Sequence, residues 1–389
     1  MSHDDVQPRM PSLSRLLAML LALALVAAAC GSDDESADSD TAASGSETAE
    51  EDASASASAS ETAEDASASA SASETAGDDT SAGESAGELA TVYPLTISDA
   101  YGTEFTFEEP PRIGCGWYGC VEAGAELGVP FAASIISEEE AASAFYSRAA
   151  PEVFISDFLN PEEWAAADVD VVFVSPANIG QPDFEPVSQV VPVFALHYDN
   201  FVSEQWPGVL GGYEAYQENI RLIGTIMDRQ AEAEEALARF DAAVENLAQY
   251  ATPETAEETI GIIGLLGYAS LASGSALCQV LNEAGHGTCV GTGVAEMLNA
   301  EAFLALNPDF VIDTGDPAER DTDPIWPQLA AVQNDNFINF ETNRFYCCST
   351  LGLILASQEY VHKRFPDAGM PNPGPNADFD PRTSPLVTG

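Results

Sequence analysis

The sequence predicts an α/β protein of two lobes, in which alternating strands and helices flank a long helix. Three observations predict this class. Apolar runs of strand length alternate with helical patterns over residues 91–210, two helical patterns without a strand fill 211–252, and the alternation resumes over 253–366. Such alternation is typical of largely parallel sheets that helices cover. Each lobe is therefore expected to contain one such sheet.

Four apolar runs define the strands of the first lobe. These runs are short and rich in residue types that favour buried strands. The four runs are Arg112–Cys115, Phe131–Ile136, Val169–Ser175 and Val191–Leu196. A glycine-rich turn after the first run leads into a helix that ends near Leu127, and Asn160 begins a second, short helix.

Two helices are predicted between the lobes. Apolar residues recur at helical spacing within Tyr213–Met227. Asp228 is a candidate N-terminal cap for a longer helix at 229–249. Roughly 21 residues at about 1.5 Å each give roughly 31 Å, enough to cross a small domain. This helix is the candidate joint between the lobes.

The second lobe repeats the pattern of the first. Its predicted strands are Thr259–Leu266, Phe310–Asp313 and Phe337–Phe340, and its predicted helices are Gly274–Ala284, Phe303–Leu306 and Leu351–Phe365. Residues 367–389 are rich in Pro, Asn and Gly and are predicted to form a flexible tail.

The charge of the chain excludes two classes of function. The 389 residues include 64 Asp and Glu but only 12 Lys and Arg, for a net charge of -52. Binding to nucleic acid by neutralising phosphates needs clustered cations, and docking to an anionic lipid surface needs them too. No nucleic-acid partner is therefore expected. The 46% of hydrophobic residues are too many for a wholly disordered acidic protein.

Residues 1–30 have the pattern of a signal peptide. Arg9 and Arg15 precede an apolar run at 16–26, which is short for a membrane-spanning helix of roughly 20 residues. The following Ala27-Ala28-Ala29-Cys30 resembles the lipobox of bacterial lipoproteins, with Ala27 where Leu is usual. The resemblance implies export, lipidation of Cys30 and anchoring to the outer face of the cell membrane. Ordinary secretory cleavage is the alternative.

Residues 31–90 are predicted to be a disordered acidic tether. They contain 17 acidic residues and no Lys or Arg, and the sequence EDASASASASETA at Glu51–Ala63 recurs unchanged at Glu64–Ala76. A repeat of this kind has no large apolar side chains to bury, and its like charges extend it. The leader is neutral and the tether carries a charge of -17, so residues 91–389 carry the remaining charge of -35.

Four segments of the chain carry motifs in a fixed order. They are LTISDAYG at 95–102 with PPRI at 110–113, the segment ending in ELGV at 122–129, NPE with DVDVVFV within 160–174, and LALNPDFVI at 304–312 with DPIW at 323–326. Their order and spacing resemble the substrate-binding proteins of bacterial ABC importers for iron-siderophore complexes, haem and vitamin B12.

The resemblance implies a helical-backbone periplasmic-binding fold. In that fold two Rossmann-like lobes are joined by a single long helix, and the ligand lies between them. The implied function is capture of an iron-siderophore-type metal complex and its delivery to an ABC permease by a monomeric, non-enzymatic protein. No intrinsic cofactor is expected, and a haem or cobalamin receptor of the same fold is an alternative.

Ligands of α/β folds bind at the carboxyl ends of strands. The loops that follow the predicted strands are rich in aromatic residues, which suit a large and partly apolar ligand. The candidate ligand-binding residues are Trp117, Tyr118, Arg148, Asp157, Phe158, His197, Tyr198, Tyr268, Arg344 and Tyr346. Ordinary packing under the loops is the alternative for each, and His197, Tyr198 or Tyr268 could instead ligate haem iron.

Few cations are available to a ligand site. Only Arg148 and Arg344 are candidates, whereas catecholate or carboxylate ligands would require several cations. A ferric hydroxamate or a corrinoid therefore fits better than a highly anionic ligand.

In the resembled family one surface Glu on each lobe docks onto the permease. Glu122 matches the first position, and Glu283 is the candidate for the second because Gln279 occupies the usual place.

Six cysteines remain after Cys30, and an even number in an exported domain predicts disulfides. Fifteen pairings are possible, and proximity favours Cys115–Cys120, Cys278–Cys289 and Cys347–Cys348. The spacing matches no usual zinc site, so no metal site is expected. A cell-surface thiol/disulfide oxidoreductase that uses Cys115, Cys120, Cys347 and Cys348 is an alternative function, although a C-x-x-C motif is absent.

Overall fold

The computed structural model describes residues 90–198, 211–264, 267–271, 274–291, 295–320, 322–340, 349–374 and 379–389. The predicted leader and tether lie outside these residues. So do the predicted ligand-binding residues Arg344 and Tyr346 and the cysteine pair Cys347–Cys348.

The first lobe contains a wholly parallel five-stranded sheet behind a small antiparallel hairpin. The hairpin consists of β1 (Leu95–Ser98) and β2 (Glu104–Phe107). The sheet consists of β3 (Ile113–Cys115), β4 (Ala133–Ser134), β5 (Val153–Phe154), β6 (Val171–Val174) and β7 (Val193–Ala195), in the order β5-β4-β3-β6-β7. Its helices are α1 (Tyr118–Leu127), α2 (Glu138–Ala141), α3 (Pro161–Ala166) and α4 (Glu185–Ser188).

Asp99, in the DAYG turn, joins the hairpin to the sheet. Its carboxylate accepts hydrogen bonds from the backbone N–H groups of Tyr101 at 2.9 Å and Thr103 at 2.8 Å. It also accepts one from the N–H of Ala195 in β7 at 3.3 Å. The acidic residue of this motif therefore has a structural role, since it satisfies the donors of a tight turn.

Two helices connect the lobes, α5 (Gly212–Ile226) and α6 (Gln230–Leu247). The 18 residues of α6 give a length of about 27 Å. The prediction that Asp228 caps this helix is wrong, because Arg229 precedes it and no side-chain cap bond is present. Asp228 has φ of 54°, a left-handed conformation that Asp tolerates, and its carboxylate accepts a bond from the Thr91 N–H at 2.6 Å.

The second lobe contains a mixed sheet in which parallel strands predominate. It has β8 (Thr259–Gly264), β9 (Gly267–Leu271), β10 (Thr288–Cys289), β11 (Ala295–Met297), β12 (Phe310–Asp313) and β13 (Phe337–Asn339). The order is β11-β9-β8-β12-β13, and β10 also pairs with β8. Its helices are α7 (Pro253–Ala256), α8 (Ala276–Glu283), α9 (Ala300–Leu306), α10 (Pro317–Arg320), α11 (Ala330–Gln333) and α12 (Thr350–Arg364).

The last eleven residues pack against the protein and end in α13 (Pro385–Thr388). Only 1% of Leu386 is exposed, and its carbonyl accepts a hydrogen bond from the Asn246 side chain in α6 at 2.8 Å. Arg382 donates to the carbonyl of Ala125 in α1 at 3.1 Å. The prediction of a flexible tail is therefore wrong for 379–389. The composition of the predicted tail concealed apolar side chains with places in the core, among them Met370 and Leu386.

One continuous apolar core extends through both lobes. Its buried side chains come from both sheets and from α1, α5, α6, α8 and α12, with Ile113 and Ile260 each at 1% exposure or less. The lobes therefore share a packed interior behind the strand ends, which confirms the predicted α/β class. Within the described ranges, no helix combines the length and the apolar composition needed to cross a membrane.

Candidate functional site

The carboxyl edge of the first sheet brings several predicted aromatic residues together. Trp117 comes two residues after β3 and immediately precedes α1, and its ring meets the ring of Tyr198 edge-on with centroids 5.1 Å apart. Tyr198 follows β7, so this contact connects the ends of two strands. A Cβ at Gly119 would lie 2.3 Å from the Trp117 ring, so only glycine allows the ring this position. Both rings are partly buried, which leaves part of each surface for a ligand.

Phe158 approaches the same turn from the other face of the sheet. Its ring stacks on Phe184 with centroids 4.9 Å apart, and its edge lies 2.9 Å from where a Cβ of Gly116 would be. The Trp164 indole donates to the Phe158 carbonyl at 2.9 Å. Asp157 is exposed, and its carboxylate accepts the Leu159 N–H at 3.1 Å. The structure therefore holds Phe158 firmly and presents Asp157 to solvent.

Tyr118 is oriented by the loop that follows β4. Its hydroxyl donates to Oε1 of Glu140 at 3.3 Å. Glu140 is in turn held by Ser137, because each side chain bonds to the other residue's backbone N–H at the start of α2. This capping box explains why the sequence Ser-Glu-Glu-Glu begins a helix there. Tyr118 thus lies at the edge, but it is engaged within the protein.

His197 is positioned by its backbone. The side chain of Asn219, 1% exposed in α5, accepts the His197 N–H at 2.8 Å and donates to the His197 carbonyl at 2.7 Å. Burial lowers the pKa of His197, although the Asp99 carboxylate acts in the opposite direction. The imidazole is therefore neutral at pH 7, in the form that can bind a ligand through a lone pair.

A polar cluster that the sequence did not reveal lies at the corresponding edge of the second sheet. Arg320 donates to the Asp313 carboxylate at 2.9 Å, and the Asn339 amide donates to the same oxygen at 3.2 Å. The guanidinium lies 5.1 Å from the ring centroid of Trp326 and 5.7 Å from that of Phe337. The available signal was Asp313 at the end of an apolar strand, followed by a cation seven residues later. The pair largely neutralises the Arg320 charge.

Arg148 does not lie with the predicted ligand residues. Its side chain donates to the Glu126 carbonyl at 3.4 Å and lies against Gly128, at the C-terminal end of α1. Trp117 is at the opposite end of this ten-residue helix, about 15 Å away. The prediction for Arg148 is therefore wrong. Sequence distance gave no sign that the 147–149 turn packs against α1.

Glu122 is not a surface residue. It is 1% exposed, and its Oε1 accepts the Tyr146 hydroxyl at 3.1 Å. The prediction that it docks on a permease is wrong, because its position in α1 faces the core between the lobes. Glu283 is exposed at the end of α8 and accepts the Tyr213 hydroxyl at 2.6 Å. Gln279 accepts the Tyr213 N–H at 3.2 Å, so it caps α5 from the second lobe.

Tyr268 lies in β9, beside the end of β8, and only its backbone is described. Arg344 and Tyr346 lie outside the described residues. Among the residues that the structure does describe, no group of three or more His, Cys, Asp or Glu is arranged to hold a metal ion.

Two of the three expected disulfides are present. Cys115 and Cys120 join the end of β3 to the first turn of α1, and Cys278 and Cys289 join α8 to β10. All four residues are at most 5% exposed. Thiol exchange needs an accessible sulfur. This burial disfavours the oxidoreductase alternative and favours a structural role, in which the first disulfide braces the Trp117 turn.

Comparisons with known proteins agree with this fold. Residues 159–342 match the family model described as periplasmic binding protein. The triscatecholate siderophore-binding protein FeuA from Bacillus subtilis, complexed with ferri-bacillibactin, superimposes with a TM-score of 0.55 at 12% identity over 69% of this chain and 97% of that chain. None of the curated proteins matches the chain.

Two further solved structures share the architecture. A periplasmic solute-binding protein from Mycobacterium smegmatis has a TM-score of 0.53 at 19% identity, covering 68% of this chain and 95% of its own. An ABC-type Fe3+-hydroxamate transport system from Saccharomonospora viridis has a TM-score of 0.50 at 20% identity, covering 70% and 99%. Residues 159–342, slightly under half of the chain, thus match the model of the periplasmic binding protein family, in agreement with the predicted resemblance.

Proposed function

We propose that this periplasmic binding protein captures a ferric siderophore-type chelate of low net negative charge and delivers it to an ABC import permease. The observation that carries the proposal is the aromatic edge formed by Trp117, Tyr198 and Phe158 at the strand ends of the first lobe. Aromatic surfaces of this kind suit a bulky ligand with an apolar exterior.

The distribution of cations supports the proposed charge of the ligand. Arg148 lies at the far end of α1, and Arg320 is already paired with Asp313. Arg344 is predicted from sequence to follow a strand of the second lobe. A tris-catecholate chelate carries several negative charges and calls for several unpaired cations. A ferric hydroxamate, in which the ligand charges balance the iron, needs fewer.

A thermal-shift screen of the full chain tests the proposal. The probes are a ferric trihydroxamate, a ferric tris-catecholate, haem and cobalamin. We expect the hydroxamate to raise the unfolding temperature, because a ligand that binds only the folded state stabilises it by mass action. The absence of a shift with all four probes would refute the proposal, and a shift with the catecholate alone would refute the charge argument.

Two variants locate the site. Trp117→Ala should weaken hydroxamate binding at least tenfold, because the apolar surface of the indole ring and its contact with Tyr198 are both lost. Tyr250→Ala is the matched control, since Tyr250 is also partly buried but lies at the end of α6 against Phe365. Equal affinities of both variants would remove Trp117 from the site.

The delivery step rests on sequence features and on one exposed carboxylate. Glu283 lies beside a groove lined by Tyr213, Phe240 and Val244 and by the carboxylates of Asp241 and Glu245. This negative surface suits a basic partner segment, and Glu283→Lys should therefore weaken binding to a permease reconstituted in vesicles.

Lipidation of Cys30, with residues 31–90 as a tether, remains part of this proposal. Cys30→Ser should release the chain from the membrane.

A further inference from the structure

Two buried carboxylates lie where the lobes meet. Glu122 and Glu126 are one turn apart on α1, and each is 1% exposed. They face the beginning of α12, which belongs to the second lobe. Oε2 of Glu126 accepts the Thr350 hydroxyl at 2.9 Å across 224 residues of sequence. This bond joins the first helix of one lobe to the closing helix of the other.

The beginning of α12 is suited to hold a negative charge. Ser349 precedes the helix and accepts the Gly352 N–H at 2.9 Å, and the helix has 15 residues, so its N-terminal end carries a partial positive charge. The first-lobe carboxylates therefore occupy the anion-binding end of a helix from the second lobe.

The cations near Glu126 are unusually many for so acidic a chain. Arg239 of α6 lies 3.4 Å from Oε1 of Glu126, and the charge of Arg382 also acts on this carboxyl group. The charges of Glu126, Arg239 and Arg382 all act on the pKa of Arg148. Three of the chain's 12 Lys and Arg residues thus surround one glutamate. Two outer carboxylates share them, because Glu235 pairs with Arg239 at 3.2 Å and Asp380 pairs with Arg382 at 2.7 Å.

Glu122 has no such cation within the part of the chain that the structure describes. The groups that act on it are the hydroxyls of Ser349 and Tyr146 and the carboxyl group of Glu126. Tyr118 and Glu140 in turn contribute to raising the pKa of Tyr146. Among the described residues, no hydrogen bond of ordinary geometry reaches Oε2 of Glu122, although the Ser349 hydroxyl is close enough to affect the carboxyl group.

The remaining helix against α1 supplies no compensating charge. The buried side chains of α5 are apolar apart from Tyr216 and Asn219, and its charged residues Glu214, Glu218 and Arg221 are not buried. A second negative charge in this interior would therefore have no cation of its own. Burying an unpaired charge is costly, and two carboxylates one turn apart also repel each other.

We propose that Glu122 and Glu126 form a proton-operated joint between the lobes. While the pair keeps at least one proton it carries at most one negative charge, which Arg239 and the start of α12 can meet, and the second lobe stays against α1. Loss of the remaining proton places two charges in the same interior, so water must enter and the contact of α12 with α1 loosens. The joint thereby makes the seating of the lobes sensitive to pH.

The direction of the pKa shifts supports this geometry. Burial raises the pKa of Glu122 to about 8, and the Ser349 and Tyr146 hydroxyls oppose the rise while Glu126 adds to it. Burial raises the pKa of Glu126 to about 7, against the charge of Arg239 and the hydroxyl of Thr350. Both values exceed the pKa of about 4.3 of an unfolded Glu. The stabilising contribution is therefore complete at low pH and is lost as pH rises through about 7 to 8.

The expected loss can be stated for the range from pH 7 to pH 9. Titration of Glu122 lowers the folding equilibrium constant about tenfold, and titration of Glu126 lowers it about twofold. Hydrogen exchange at the first amides of α12, Gly352 and Leu353, should report the loosening as a fall in protection, compared at each pH with Ile312 in β12. Infrared spectra of the full chain should show a protonated carboxyl band at pH 7 that disappears at pH 9.

Glu122→Gln should abolish most of this response, weaken the infrared band to the part that Glu126 contributes, and leave only about a twofold change. Glu235→Gln is the matched control, because Glu235 also pairs with Arg239 but is 74% exposed, and it should behave as the wild type. If Glu122→Gln does not fold, Thr350→Val provides the test. It keeps both carboxyl groups and should lower α12 protection already at pH 7.

Three results would overturn the joint. They are constant α12 protection in the wild type between pH 7 and pH 9, the same pH response in Glu122→Gln, and an equal loss of protection at Ile312, which would indicate uniform destabilisation.

These measurements need no ligand. The consequence for ligand retention rests on the proposed function: ferric trihydroxamate affinity should fall by about tenfold from pH 7 to pH 9 in the wild type and change less than twofold in Glu122→Gln. A wild type that binds no chelate at either pH would refute the proposed function and leave the exchange result standing.

Discussion

Leu386→Ala tests whether the C-terminal residues belong to the core. Only 1% of Leu386 is exposed, and the residue packs against α6 close to the end of the chain. The substitution removes apolar atoms from a buried site but leaves the backbone bond from Asn246 to the Leu386 carbonyl. The expected effect is therefore that of a core cavity, even though the position is three residues from the terminus.

The magnitude follows from burial. Leu→Ala changes at buried sites cost about 2–5 kcal/mol, with the lower values where the surroundings can collapse into the space. Because α13 has only four residues and can move inward, we expect about 2–3 kcal/mol for Leu386→Ala. This corresponds to roughly a 30- to 150-fold change in the unfolding equilibrium constant, at about 1.4 kcal/mol for each factor of ten.

Urea unfolding followed by circular dichroism measures this difference. Thr388→Ala is the matched control, because Thr388 lies in the same helix and is exposed, and it should remain within about 0.5 kcal/mol of the wild type. A Leu386→Ala protein as stable as the Thr388→Ala protein would refute the packing of residues 379–389 and restore the flexible tail.

Two further predictions concern the ends of elements. Ser349→Ala should lower the free energy of unfolding by about 1 kcal/mol because α12 loses its cap, while Ser349→Thr should retain most of it; equal losses would exclude the cap as the cause. Arg320→Ala should cost about 3 kcal/mol, since it removes the cation paired with the 4%-exposed Asp313 side chain and leaves that buried charge with its hydrogen bonds alone. Removing the exposed Arg112 partner with Glu152→Ala should cost less than about 1 kcal/mol, and a similar cost for both would contradict the burial argument.

The elements were predictable where their pattern is local. The strand at Phe310–Asp313 and the helix at Leu351–Phe365 lie within one or two residues of β12 and α12, because a buried strand and a long helix impose periods of their own on the sequence. The turn at Asp228 was not predictable in the same way. Asp is a common cap, and only the path of the chain shows that it adopts a left-handed conformation between α5 and α6.

The candidate site was predictable in part for a related reason. A residue directly after a strand must lie at the carboxyl edge of the sheet, so Trp117, His197 and Tyr198 could be placed from sequence. Arg148 lies in a connection whose direction no local pattern reveals, and the structure places it at the far end of α1. The pairing of Arg320 with Asp313 was missed because it depends on a turn seven residues long.

The sequence by itself determined the class of this protein: its order of strands and helices, the acidic segment before them, two disulfide pairs and the motifs of the binding-protein family. These features depend on residues close together in the chain. Only the tertiary structure decided the environment of each charge. Glu122 and Glu283 are both helical glutamates, yet one is buried against the start of α12 and the other is exposed beside Tyr213. The cost of a buried charge depends on neighbours that are up to 224 residues away, and no local pattern contains them.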